Sequence, residues 1–80
     1  MIDVYKAIEL YKLHTHEIVG AVFDIGHSFV ISSIDETGED LDTSPLAINK
    51  ANGEITVYFP PDHWEELDKA IEIEIPKAYR

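Results

Sequence analysis

Three side chains of metal-binding type stand within four residues in "HTHE": His14, His16 and Glu17. A helix brings two histidines onto one face at a spacing of four, an extended strand at a spacing of two, and "HTHE" falls where a helical pattern gives way to a strand pattern. The sequence also has no H-E-x-x-H motif. The segment therefore reads as an exposed helix terminus, with His14 positioned to serve the last helical carbonyls. A second group, Asp62, His63 and Glu66, has acid and base types at close spacing. Asp62 and Glu65, however, stand three apart in "DHWEEL" and are predicted to form a helix-capping box, which leaves His63 solvated at the first turn. Ser28, Ser32 and Ser33 lie on a strand pattern with no nucleophile elbow around them. The four glycines are isolated, so no phosphate-binding loop is present. The sequence thus predicts no catalytic, cofactor or metal site, and no enzyme.

The remaining chemistry is charge. Sixteen acidic against six basic residues give a formal net charge of −10 on 80 residues. Five of the carboxylates, Asp35, Glu36, Glu39, Asp40 and Asp42, crowd into "DETGEDLD". That run lacks the ligand spacing and mid-loop glycine of an EF-hand, and with almost nothing apolar it is expected to be an exposed loop. A field of this sign repels nucleic acid and anionic membrane and attracts a basic protein, so the five residues are the predicted partner-binding set. A solvated loop that only keeps the domain soluble is the plainer alternative.

The elements that must position these residues follow from periodicity. Val4, Ala7, Ile8 and Tyr11 recur at helical spacing, with Asp3 as N-cap, and predict an amphipathic helix ending near "HTH". "IVGAVFDI" and "SFVISSI" flank a turn at Gly26 and predict a hairpin. Its first strand is apolar on both faces and belongs inside a sheet; its second is expected to have one wet face. In "PLAINKANGEITVYFP", Asn52 and Gly53 predict a second hairpin. A loop of two or four residues sets Leu46 and Ile48 on one face with Ile55, Val57 and Phe59, whereas a three-residue loop inverts the faces. After Pro60 and Pro61 a short helix is expected to bury Trp64, Leu67 and Ile71 as a stripe, with Trp64 as a core anchor. "IEIEIP" then alternates as a final edge strand in which Glu72 and Glu74 discourage association, though the edge permits a homodimer.

The whole is one α+β domain, residues 1–80, with an antiparallel sheet of four to five strands, an N-terminal helix and a short helix near the C-terminus. A chain this short buries only about 60% of its unfolded surface, and without cysteine it has no disulfide to add. "MIDVYKAIEL" has neither the basic region nor the cleavage site of a signal peptide, and the longest apolar run is far too short to cross a bilayer. A soluble, cytoplasmic protein is expected.

Pro45, Leu46, Ile48, Lys50, Gly53, Glu54 and Ile55, following a helix and two strands around an aromatic, resemble the small YrhB-like immunity proteins of bacterial polymorphic toxin systems. Phe29, preceded by His27 and Ser28, stands where that family has a tryptophan preceded by glycine. The resemblance implies a cytoplasmic, non-catalytic antitoxin that binds and neutralises a toxin or effector domain, and it carries over no inhibitory residue. The alternative function is an acidic nucleic-acid mimic or regulatory module that captures a basic DNA-binding protein.

Overall fold

The computed structural model describes residues 1–41, 43–58 and 60–80. The elements run α1 (Val4–Thr15), β1 (Ile18–Asp24), β2 (Ser28–Ile34), β3 (Leu46–Asn49), β4 (Ile55–Val57), α2 (Trp64–Asp68) and β5 (Ile71–Ile73), with single 3₁₀ turns at Pro60–Asp62 and Lys77–Tyr79. The five strands form one antiparallel sheet in the order β4-β3-β2-β1-β5. This is the predicted α+β architecture, with β1 interior and β5 at an edge. Among the described residues no helix is long and apolar enough to cross a membrane.

Asp3 caps α1 as predicted, its carboxylate accepting from the Lys6 amide at 2.9 Å. The helix closes at His16, which takes a left-handed conformation (φ 60°) and donates its amide to the Lys12 carbonyl. Ala7, Ile8 and Tyr11 then face the sheet and meet Val19, Val22, Phe29, Ile31, Ile48 and Ile75. The Tyr11 and Ser33 hydroxyls hydrogen-bond inside this layer. Burial raises the Tyr11 pKa, an effect only partly opposed by that bond.

Val19 and Val22 are three residues apart, a spacing that regular alternation places on opposite faces of a strand, yet both lie fully buried in this one core. The register supplies the reason. Val19 pairs with Ser33 and Ala21 with Ser32, so Gly20 is an extra residue that shifts every later side chain of β1 by one face. A β-carbon on Gly20 would lie 2.6 Å from Ile34 Cγ2, so any larger residue here would have to displace the Ile34 side chain.

The second hairpin has a four-residue loop, Lys50 to Gly53: the Asn49 amide donates to the Glu54 carbonyl, and Ile48 lies opposite Ile55. Gly53 takes a φ of +75° there, and the Asn52 side chain accepts from the Glu54 amide. The even loop keeps Leu46, Ile48 and Ile55 on the helix side, as the facing rule requires. Val57 pairs with Leu46 but is exposed, because α1 packs over β1, β2 and β3 and stops short of the edge strand. Phe59, expected on the same face, lies outside the described residues.

Three expectations are corrected. The far face of β2 is not wet: Val30 is buried there with Ala47 and Tyr58, and Phe23, Ile25 and Leu67 pack around them, because the chain after β4 folds back beneath the sheet. The Asp62 to Glu65 capping box does not form. Pro60 and Pro61 take Asp62 into the 3₁₀ turn, His63 donates its amide to the Pro60 carbonyl, and His63 becomes a helix N-cap with no side-chain bond. The stripe of Trp64, Leu67 and Ile71 also fails. A five-residue helix has one inward position, which Leu67 fills, while Trp64 is 61% and Ile71 70% exposed. Past β5 the chain returns to α1: Ile75 is buried, the Tyr79 ring lies tilted against Tyr5 with centroids 4.7 Å apart, and Lys12 Nζ donates to the Arg80 carbonyl at 2.8 Å.

Candidate functional site

The acidic segment following β2 is a shaped loop. Asp35 Oδ1 accepts from the Thr37 amide at 2.8 Å, the Thr37 hydroxyl at 2.6 Å and the Glu39 amide at 3.1 Å. The Asp35 amide donates to the Glu39 carbonyl, Gly38 turns the chain with φ +91°, and Asp40 forms an isolated bridge with Ile34. These bonds, the Thr37 hydroxyl foremost, hold the Asp35 carboxyl below its ordinary pKa. Asp35 is thus the former of the turn, and its carboxylate faces inward to the loop. Glu36, Glu39 and Asp40 are exposed, and among the described residues none of them takes part in an ion pair. Asp42, the fifth of the predicted set, lies outside the described residues.

"HTHE" gains nothing from the fold. His14 and His16 are exposed at the helix end. Among the described residues no group of three histidine, cysteine or carboxylate side chains is placed to hold a metal ion.

A second constellation is assembled only by tertiary structure. Glu66, on α2, accepts from the Tyr58 hydroxyl at 2.8 Å through Oε1 and lies 3.1 Å from His27 Nε2 through Oε2. His27 Nδ1 is in turn 2.9 Å from the Ser28 hydroxyl. The His63 ring stacks on Tyr58 with centroids 4.3 Å apart, and its Nδ1 lies 3.7 Å from Glu66 Oε1. One assignment of protons satisfies the chain: Ser28 donates to Nδ1, and the Nε2 proton of His27 is given to Glu66. The Tyr58 bond, ahead of the His27 contact, holds the Glu66 carboxyl below its ordinary value, while burial and the facing carboxylate push the Tyr58 phenol up to about 12.

The order of groups is that of a hydroxyl, a base and an orienting carboxylate. Ser28, however, is buried at the start of β2, with no elbow presenting it to a substrate. The network works as a clamp that ties α2 to the first hairpin. Beside it a cleft of about 290 Å³ runs between α2 and β4, lined by Asn49, Glu54 and Thr56. A wider one of about 700 Å³ opens at the base of α2 around Trp64.

Sequence reasoning had Glu66 and His63 within reach but missed Tyr58 and His27. Alternation along "ITVYFP" was the usable signal: it sets Tyr58 on the opposite face from Val57, where nothing had been predicted to pack. Nothing in the sequence brings His27 to Glu66, 39 residues away. A second clamp stands close by. Lys50 Nζ lies 2.7 Å from Asp24 and 4.8 Å from the Phe29 ring centroid, while its amide donates to the His27 carbonyl. The Lys50 bond, with the Gly26 amide second, holds the Asp24 carboxyl below its ordinary pKa.

Compared with protein-family models, with curated proteins and with solved structures, the chain has no match.

Proposed function

We propose that this chain is a non-catalytic immunity protein that binds and neutralises a basic toxin or effector domain. The observation that carries the reading is the built acidic loop. Asp35 spends its own carboxylate on the turn, and the turn holds out Glu36, Glu39 and Asp40 with no cation of the chain beside them in an ion pair among the described residues. A preshaped loop loses little conformational freedom on binding, and a net charge of −10 steers a basic partner toward it. Such steering suits an inhibitor that must capture its target before damage is done, since it can raise association rates to about 10⁸ M⁻¹s⁻¹ or more at low salt.

The experiment is co-expression with a basic effector encoded beside the gene for this chain. Cells are expected to survive only when the chain is present, and the two proteins to co-elute one to one in a complex whose association slows with salt. The triple variant Glu36→Lys, Glu39→Lys, Asp40→Lys is expected to slow association about tenfold or more, because it reverses the steering charge. Cell death in the presence of a folded, expressed chain refutes the reading. Replacing Asp35 with Ala separates shape from charge: the loop amides of Thr37 and Glu39 lose hydrogen-exchange protection while the sheet retains its own.

A further inference from the structure

We infer that the cleft at the base of α2, walled by Ile25, Pro61 and Trp64, seats an arginine-bearing segment of the basic protein partner. The inference rests on the reading of the chain as a binder of basic proteins and supplies the surface and the chemistry of contact.

Trp64 is the single tryptophan of the chain, and it is 61% exposed in a domain short of core. An indole is the largest apolar surface a residue offers, and tryptophan is enriched among the residues that anchor interfaces. Here it lines an open cleft of about 700 Å³ beside a rigid proline, with Ile25 on the cleft wall. Ile25 itself packs on the buried layer of Val30, Ala47 and Tyr58 beneath the sheet, so the wall is fixed.

Charge selects the occupant. Asp62, Glu65 and Glu66 all line the cleft, against a single lysine, Lys69. Both Glu66 oxygens are engaged, one by Tyr58 and one by His27, and this holds α2 in place. Among the described residues Asp62 and Glu65 have no hydrogen bond to their side chains and no ion pair, and both flank Trp64 in sequence. An exposed indole that shares a cleft with two free carboxylates matches a guanidinium better than an ammonium. The planar cation lies flat on the ring while its fork of N–H donors reaches a carboxylate at the edge. An apolar segment would leave both carboxylates desolvated without a partner, and nucleic acid would be repelled by them.

Because the chain has one tryptophan, its fluorescence reads this cleft alone. The probe is a capped tri-arginine peptide titrated at low salt, with tri-lysine and tri-alanine peptides alongside. Tri-arginine is expected to give a saturable blue shift, with tri-lysine weaker and tri-alanine inert. The exposed, charge-neutralising variant Asp62→Asn/Glu65→Gln is expected to weaken the response about fivefold, while Glu36→Gln/Glu39→Gln/Asp40→Asn changes it by less than twofold. Unchanged melting temperatures confirm that both variants fold. No saturable shift, an equal response to tri-alanine, or equal weakening by the two variants overturns the inference. Cells rescued by a chain whose Trp64 emission ignores tri-arginine would refute this inference alone. A clear peptide response in a chain that fails the rescue would refute the immunity reading alone.

Discussion

Removing the Tyr58 hydroxyl tests the clamp that holds α2 beneath the sheet. Tyr58 is 4% exposed, and its hydroxyl donates to Glu66 at 2.8 Å. In Tyr58→Phe the ring packing against Val30 and Ala47 is kept, and water replaces the lost donor at the partly exposed Glu66. A charge-assisted bond contributes about 1.5–3 kcal/mol when both partners are dry, so with one wet partner the loss at neutral pH is about 1–2 kcal/mol. For a domain of this size that lowers Tm by roughly 5–15 °C. The alkaline limb carries the sharper signature. A phenol raised from 10.0 to about 12 in the folded state stays protonated there after the unfolded chain has begun to ionise. Stability is therefore unaffected by ionisation of this phenol below pH 10 and falls as the pH rises toward 12, by a total on the order of 3 kcal/mol. The assay is urea unfolding between pH 8 and 12 for wild type and Tyr58→Phe, with tyrosinate absorbance followed in parallel. Wild type is expected to lose stability more steeply above pH 10, and the variant to lack the component that titrates near 12. Superimposable alkaline limbs would refute the reasoning, as would a Tyr58 component that titrates near 10.

Lys50→Met is expected to destabilise by about 1 kcal/mol at pH 7 by breaking the Asp24 pair and the contact over Phe29. Because the Asp24 carboxyl is held low in the folded state, that difference is present above the ordinary carboxylate range and fades as acid protonates Asp24, which acid-limb unfolding would show. Gly20→Ala is expected to cost about 1–3 kcal/mol, since its new methyl would stand 2.6 Å from Ile34 Cγ2; thermal melts of the single variants and the double variant with Ile34→Ala should show that the two costs do not add. Trp64→Ala is expected to change folding stability by less than about 0.5 kcal/mol, in contrast to the 3–5 kcal/mol typical of a buried tryptophan. A large Tm drop in that variant would mean the indole is a core residue after all.

Most of the architecture was legible because the chain from α1 through β4 obeys local rules. Helical spacing in Val4, Ala7, Ile8 and Tyr11, a carboxylate at Asp3 and the glycine turns fix α1 and two hairpins with little reference to anything distant. The segment after β4 departs from expectation where two local signals competed. Asp62 and Glu65 have the spacing of a capping box, but paired prolines drew Asp62 into a 3₁₀ turn first, and the helix that followed was too short to bury a stripe. Trp64 therefore points away from the core that its side chain would ordinarily join.

The candidate sites divide along the same line. The charge of "DETGEDLD" is a property of composition, and the amino-acid sequence determines it alone. That Asp35 turns inward and leaves Glu36, Glu39 and Asp40 outward depends on bonds within a single loop, close to what sequence can express. The clamp of Tyr58, Glu66 and His27, the covering of the second face of β2, and the shared face of Val19 and Val22 were decided only in three dimensions. Each depends on a contact or register that no local preference encodes. One extra residue at Gly20 inverts the later part of a strand, and a chain reversal after β4 brings residues 39 positions apart within hydrogen-bonding distance.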